Sequence, residues 1–180
     1  MKHILPVCLA AIMLNGCVGA ALEGANIAKD KVIVSSKIDK ANQGDPVAQY
    51  EVGKALCCSP TEDTSPFYNT KTSIAWLCAS ARQGYAPAMF KIGKIYSGDV
   101  VDGIRLIRRA AMGIAGSSRN APVAYVWLRQ ASDLGLQDAA KRANSIWREL
   151  TPAERRRTTQ LLQAGLKAKC MWGDVIEQRD

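Results

Sequence analysis

Histidine is almost missing from this sequence: its 180 residues contain only His3, close to the start of the chain. Because His3 lies in a segment that we expect to be cleaved, the mature chain has no imidazole. This excludes Ser-His-Asp and Cys-His catalysis and every metal site that needs histidine. The sequence also lacks the common motifs for a nucleophilic serine, a phosphate-binding loop or a zinc protease. We therefore expect no catalytic residue, no resident metal and no cofactor.

Aromatic residues are also scarce, at 6% of the chain, although hydrophobic residues make up 48%. A chain this apolar is expected to fold, and its length suits one domain. Its core must be built from Ala, Leu, Ile and Val, which favours close-packed helices over a β-sandwich. Basic residues outnumber acidic ones by 24 to 16, so the net charge is +8.

Apolar runs long enough to span a bilayer are missing as well. The longest, Ile4–Leu14, follows the basic head Met1–His3 and is broken by Pro6. It falls short of the about 20 residues that a transmembrane helix needs, but it fits the core of a signal peptide. The next residues, Leu14-Asn15-Gly16-Cys17, resemble the bacterial lipobox, in which a cysteine is acylated and the chain is cut before it.

The lipobox resemblance predicts a signal peptide over 1–16, acylation of Cys17 and a lipidated tether over 17–43, helical in part around Ile27–Ala41. Each buried CH₂ of an acyl chain contributes about 0.8 kcal/mol, so several chains hold a protein without a transmembrane helix. Val18 follows Cys17, which by resemblance to known lipoproteins favours the periplasmic face of the outer membrane. The alternative is an ordinary secretory signal with a chance cysteine.

Three later segments share one pattern and indicate an internal repeat. In each, a glycine is followed by alanine four residues later, by glycine or asparagine nine later, and by a large apolar residue twelve later. A Trp-Leu pair begins eight residues before the second and third glycines. The aligned residues are Gly44, Ala48, Gly53 and Leu56; Trp76, Leu77, Gly84, Ala88, Gly93 and Tyr96; and Trp127, Leu128, Gly135, Ala139, Asn144 and Trp147.

The repeat predicts a stack of helix hairpins. The first glycine of each segment falls where a helix should end, because glycine tolerates the left-handed conformation of that cap. Gly53 and Gly93 fall inside helical patterns, where glycine costs about 1 kcal/mol relative to alanine. We expect a side chain of the facing helix to need the bare backbone there. Trp76 and Trp127 are expected to fill the space between hairpins.

At these residues the chain resembles the Sel-1-like repeat, a relative of the tetratricopeptide repeat. The stretch Ala88–Gly98 carries the pattern most fully, and Ala124–Gly135 with Leu150–Glu154 resembles the closing segment of such arrays. The resemblance implies an all-α fold, a short right-handed α-solenoid of hairpins over 44–168, used for binding proteins. Residues 169–180 would form a C-terminal tail.

The pattern is interrupted by a long loop, Ser59–Thr70, and by an insert, Asp99–Asn120. Within the insert, Ile104–Met112 has helical spacing. It is either the second helix of the second repeat or an addition before the helix at 121–134; the sequence leaves both open. The last helix, Pro152–Lys167, begins with a capping box. The capping residues are Thr151 and Glu154, and the expected apolar stripe is Leu161, Leu162 and Leu166.

Four cysteines remain after Cys8 in the signal and Cys17 at the lipid site: Cys57, Cys58, Cys78 and Cys170. An oxidising periplasm permits disulfides. We expect Cys57 or Cys58 to bridge to Cys78 across a hairpin, and the other to reach Cys170. A four-thiolate metal site is the alternative, but the sequence has no Cys-x-x-Cys pair to support it.

Basic residues gather in the C-terminal half. They form either a solvated helix face or a surface attracted to the anionic envelope or to an acidic partner. The two groups are Arg105, Arg108 and Arg109, and Lys141, Arg142, Arg148, Arg155, Arg156 and Arg157.

Together these features predict a non-enzymatic envelope lipoprotein that acts as a protein-protein interaction adaptor through a helical groove. The lipid anchor would attach it to the membrane, and its partner would be an envelope protein or peptide. Association with peptidoglycan is a further option. We expect no binding of nucleic acid. In related solenoids the groove is lined by the helices that carry Tyr50, Phe90, Lys91 and Lys94. The alternatives are a cell-wall protein that binds or hydrolyses β-lactams, an activity credited to some members of the repeat family, and a structural lipoprotein of a secretion or conjugation apparatus.

Overall fold

The computed structural model describes residues 24–58, 65, 67–98, 119–165 and 170, and within them the chain forms seven helices and no strand. The predicted all-α class is therefore confirmed. The helices are α1 (24–42), α2 (Pro46–Ala55), α3 (Thr70–Arg82), α4 (Ala86–Ser97), α5 (Ala121–Asp133), α6 (Gln137–Glu149) and α7 (Pro152–Ala164).

The same glycine turn joins α1 to α2, α3 to α4, and α5 to α6. Gly44, Gly84 and Gly135 have φ angles of +94°, +85° and +90°, and the next helix begins two residues after each. A side chain at these positions would strain the backbone, which glycine avoids. The predicted helix ends at these three glycines are confirmed.

Helix α1 packs against α2. Ala41 of α1 is buried with Ala48 and Val52 of α2. The Lys37 ammonium lies 3.0 Å from the Glu51 carboxylate, and Gln49 Nε2 donates a hydrogen bond of 3.1 Å to the Ala41 carbonyl. Within the expected tether over 17–43, the helix predicted around Ile27–Ala41 is present and extends over 24–42, and the contacts of Lys37 and Ala41 attach its C-terminal end to α2. Residues 17–23 lie outside the described ranges.

Two glycines inside helices accept a leucine from the facing helix. A Cβ placed on Gly53 of α2 would stand 2.8 Å from Leu77 Cγ of α3, and one on Gly93 of α4 would stand 2.6 Å from Leu128 Cγ of α5. Real Cβ atoms do not approach other carbons this closely. The predicted need for bare backbone is confirmed, and the side chain that requires it is the leucine of each Trp-Leu pair.

The contact between α5 and α4 resembles the contact between α3 and α2. Helix α5 packs on α4 through Leu128 and Gly93, as α3 packs on α2 through Leu77 and Gly53. The candidate helix Ile104–Met112 lies outside the described residues, so both interpretations of the insert stay predictions.

The two tryptophans have different surroundings. Trp127 is buried in the main core, which contains Cys57, Cys58 and the buried apolar residues of α3 to α6. Trp76 is half-buried and packs beside Ile38 of α1 and Val52 of α2. Trp127 therefore fills space inside the main core, whereas Trp76 covers the smaller cluster of Ala41, Ala48 and Val52.

Neighbouring helices pack in chain order from α2 to α6, and α7 then packs against α5. Helix α7 begins with the predicted capping box and ends at Ala164, three residues before the predicted end at Lys167. The next residue, Gly165, has a φ of +73°. Thr158 and Leu161 face the protein, but Leu162 is 43% exposed. The predicted stripe is wrong at Leu162, because a residue next to Leu161 lies about 100° around the helix. Leu166 lies outside the described residues.

Among the residues described, no helix combines the length and the apolar character needed to cross a bilayer.

The contact between Gly93 and Leu128 gives a stability prediction. We expect Gly93→Ala to lower the free energy of unfolding by about 1–3 kcal/mol, because the added methyl overpacks the interface. At an exposed helical site the same change would raise it by about 1 kcal/mol. Urea unfolding followed by circular dichroism measures the difference.

Gly24→Ala is the matched control, since Gly24 is also helical and a Cβ there meets nothing within 4 Å. In a Leu128→Ala background, Gly93→Ala should lower the free energy of unfolding by less, because Leu128 Cγ, which the new Cβ would contact, has been removed. An unchanged or raised free energy of unfolding for Gly93→Ala alone would contradict the packing account.

Candidate functional site

Aromatic and lysine side chains occur together on α2, just before α4 and in the middle of α4. We call this set the aromatic–lysine surface; none of its members is fully buried. Its members are Tyr50, Lys54, Tyr85, Phe90 and Lys94.

Each lysine of this surface lies over an aromatic ring on its own helix. Lys54 Nζ is 5.2 Å from the centroid of the Tyr50 ring, and Lys94 Nζ is 5.4 Å from that of Phe90. Ring faces attract cations, and an exposed pair of this kind contributes about 0.5–1 kcal/mol. The Tyr50 and Tyr85 rings meet edge to face at 5.4 Å, which joins α2 to the start of α4.

The repeat places these pairs at equivalent positions. Tyr50 and Phe90 each follow their turn glycine by six residues, and each lysine comes four residues later. Residues four apart lie on the same face of an α-helix, so the ring and the ammonium meet. Both rings also pack against the edge of the main core, which holds them in place.

Of the four predicted partner-binding residues, Lys91 does not belong to this surface. Lys91 is only 6% exposed, because it lies on the same side of α4 as the buried residues Ala88 and Ile92. Lys94 lies over the Phe90 ring on α4, and Tyr50 lies on α2; that these residues bind a partner stays a prediction. The prediction missed Lys54 and Tyr85, although the spacing of Lys54 from Tyr50 repeats that of Lys94 from Phe90.

The cysteines pair differently from the prediction. Cys78 of α3 is bonded to Cys170, with Cα atoms 5.6 Å apart, and Cys57 is bonded to its neighbour Cys58. The expected bridge from Cys57 or Cys58 to Cys78 is therefore wrong. The buried Cys170 packs in the main core beside Cys78, and this return of the chain end takes the sulfur that a hairpin bridge would need.

A cleft of about 410 Å³ lies where α5 begins and α6 ends, with α7 beside it. Arg119 reaches Glu149 across it at 3.5 Å, and Glu154 and Arg157 complete its charged walls. Both signs of charge are present in similar number, so the cleft favours neither an anion nor a cation.

Glu154 lies in this cleft as part of the capping box of α7. Its carboxylate accepts hydrogen bonds of 2.8 Å from the Thr151 backbone N–H and from the Thr151 hydroxyl. The backbone bond is the main cause of a pKa below the ordinary 4.5, and the hydroxyl bond adds to it.

Among the described residues, no group of three or more His, Cys, Asp or Glu side chains is arranged to hold a metal. The Glu51 carboxylate pairs with Lys37 of α1. The lipidation candidate Cys17 lies outside the described ranges.

The C-terminal basic residues are spread over α6 and α7. Lys141 pairs with Asp138 at 3.4 Å, and Arg155 lies over the Trp147 ring at 5.4 Å. Arg148 and Arg156 are exposed to solvent. The group at Arg105, Arg108 and Arg109 falls outside the described ranges.

The two disulfides should differ in what they contribute to stability. We expect the double change Cys78→Ala with Cys170→Ala to lower the free energy of unfolding by about 2–5 kcal/mol, since this bond joins distant residues and restricts the unfolded chain. Their separation is 92 residues. Denaturant unfolding of the oxidised proteins measures the loss.

The control is Cys57→Ala with Cys58→Ala, which also removes two core sulfurs but opens a bond between adjacent residues that closes no long loop. A loss as large as that of the first pair would show that core packing, not the long crosslink, supplies the stability.

Glu154 should make part of the stability depend on pH. Because its pKa is lower in the folded chain than in the unfolded one, its contribution is present above about pH 4.5 and is lost as the pH falls through the folded pKa. Glu154→Gln keeps an acceptor oxygen but has no charge. Its free energy of unfolding, measured from pH 7 to pH 3, should therefore fall less at low pH than that of the wild type.

Thr151→Ser is the conservative control, since it keeps both donors to the carboxylate and should retain the wild-type pH profile. If the stability of Glu154→Gln depends on pH in the same way as that of the wild type, the Glu154 carboxylate does not cause this pH dependence.

Comparison with known proteins finds no family model, no curated protein and no solved structure that matches this chain. The resemblance to Sel-1-like repeats therefore depends on the residues of this chain alone.

Proposed function

We propose that this chain is a non-enzymatic lipoprotein of a bacterial envelope, which binds another protein through a short Sel-1-like stack of helix hairpins. In this proposal acylated Cys17 holds it at the periplasmic face of the outer membrane, and the helices form a right-handed solenoid. The aromatic–lysine surface lies in its groove and receives the partner.

One observation carries the proposal: the packing of a leucine on a helical glycine occurs twice, at equivalent positions of successive units. Leu77 lies on Gly53 and Leu128 on Gly93. Helical-repeat proteins are built from units that bury one continuous core and present an extended surface for binding. The glycine turns at Gly44, Gly84 and Gly135 give the units the same connection.

The surface itself supports binding of a protein. Interfaces between proteins are enriched in aromatic residues, whose large rings gain much from burial. Tyr50, Tyr85 and Phe90 bring three such rings to neighbouring helices, each partly accessible. The same surface has no nucleophile with an adjacent base, so its chemistry suits recognition.

The adaptor role is tested by affinity capture from detergent-solubilised envelopes, with and without prior crosslinking in intact cells. We expect a specific protein partner to be recovered with the wild-type chain. Recovery of no partner under either condition would count against the role.

The anchor gives a separate prediction. We expect Cys17→Ser to abolish incorporation of radioactive palmitate and to release the protein from the membrane fraction, because only the thiol can carry the diacylglyceryl group. Cys8→Ser, in the predicted signal peptide, is the matched control and should still be labelled. Labelling that survives in the Cys17→Ser protein would refute lipidation at this residue.

A further inference from the structure

We infer that a second surface, formed by Tyr125 of α5, Trp147 of α6 and Arg155 of α7, binds an acidic side chain of a partner protein through the Arg155 guanidinium. We call it the arginine–tryptophan surface. The inference goes beyond the proposed function, which assigns partner binding to residues of other helices, and it holds or fails independently of that assignment.

Contacts between side chains join the three residues into one surface. The centroids of the Tyr125 and Trp147 rings lie 4.9 Å apart, and the Arg155 guanidinium lies 5.4 Å from the centroid of the Trp147 ring. Arg155 Nη2 also donates a hydrogen bond of 3.3 Å to the Trp147 carbonyl. Arg155 is exposed and both rings are partly exposed, so the surface is accessible to a partner.

The Arg155 guanidinium is positioned before a partner arrives. Its contacts with Trp147 restrict the side chain, so less conformational entropy is lost on binding. The bond to the Trp147 carbonyl uses a single N–H group, and within the described part of the chain no carboxylate forms an ion pair with Arg155. The remaining N–H groups form a flat fork that matches the two oxygens of a carboxylate.

The charge of the surrounding helices favours an acidic partner. Helices α5, α6 and α7 contain seven basic side chains but only four acidic ones. Arg148 and Arg156, which follow Trp147 and Arg155 in the sequence, are exposed and add to the positive charge. A positive surface attracts acidic segments and repels basic ones.

The four carboxylates of these helices already have contacts within the fold. Three form ion pairs, and the fourth belongs to the capping box of α7. They are Asp133 beside Arg129, Asp138 beside Lys141, Glu149 beside Arg119, and Glu154 beside Thr151. A carboxylate that binds Arg155 is therefore expected to come from another molecule.

The rings favour a protein segment over a small anion. Tryptophan, tyrosine and arginine are the residue types that contribute most to binding in protein interfaces. An apolar side chain next to the bound carboxylate would gain from burial against Trp147 and Tyr125. A membrane is the less suitable occupant, because both rings also pack against the main core, which limits how far they can enter a lipid layer.

The test measures binding of a fluorescein-labelled synthetic peptide of alternating Glu and Leu by fluorescence anisotropy, with the full disulfide-bonded chain. We expect binding that weakens with added salt, and weaker binding of the same peptide with Gln in place of Glu. Arg155→Ala should weaken binding of the Glu peptide by about fivefold or more, because its charge-assisted hydrogen bonds to the carboxylate are lost. Arg155→Lys keeps the charge but not the flat fork, so it should give a smaller loss.

Lys40→Ala is the matched control, since it removes the same charge from an exposed site on α1. It should leave the affinity within about twofold at physiological salt, where distant charges are screened. Circular dichroism checks that every variant is folded. Equal losses for Arg155→Ala and Lys40→Ala, equal binding of the Glu and Gln peptides, or no binding of the Glu peptide to the wild type would overturn the inference. So would Arg155-dependent binding to vesicles of anionic phospholipid without binding of the peptide.

Photo-crosslinking in cells separates this inference from the proposed function. A photoreactive phenylalanine analogue is placed at Tyr125 or, as a comparison, at Phe90. A partner captured from position 125 through an acidic segment supports the inference, whereas capture there through a segment without acidic residues overturns it. A partner captured only from position 90 leaves the proposed function standing and overturns the arginine–tryptophan surface as a binding site. No partner from either position counts against both.

Discussion

The fold depends on one steric fit, a leucine seated on the bare backbone of a glycine in the facing helix. Leu77 on Gly53 and Leu128 on Gly93 bring each pair of helices closer than any residue with a Cβ would allow. Close approach lets alanines at the same interfaces become fully buried, as Ala88 and Ala124 are. In this way a core with few aromatic residues packs densely, because closely spaced helices leave no gaps that large side chains would have to fill.

Local features of the sequence predicted the parts of the fold that depend on local chemistry. The turn glycines and the capping box of α7 are set by the conformations that glycine, threonine and glutamate permit within a few residues. The sequence also indicated that Gly53 and Gly93 face a neighbouring helix. It did not show that leucine, and not the adjacent tryptophan, makes the contact, because this depends on the rotation of the facing helix.

Features that depend on distant parts of the chain were predicted less well. The pairing of Cys78 with Cys170 requires the chain end to return to α3, and no local pattern encodes that return. In the candidate site, Tyr50, Phe90 and Lys94 were chosen by resemblance to related solenoids, and their role in binding stays a prediction. Lys91 was wrongly included: adjacent residues lie about 100° apart around a helix, so Lys91 is buried although Phe90 beside it is partly exposed. Tyr85 was missed because the sequence does not show its ring contact with Tyr50, which belongs to another helix.

The bond between Cys78 and Cys170 encloses most of the chain in a covalent ring. A protease that cut any single peptide bond between these two residues would leave both fragments attached to each other through sulfur. The ring would also keep the second and third glycine turns joined to α3 after such a nick, whereas reduction would let the pieces part. A single cut in the backbone and the loss of the protein are thus two separate events.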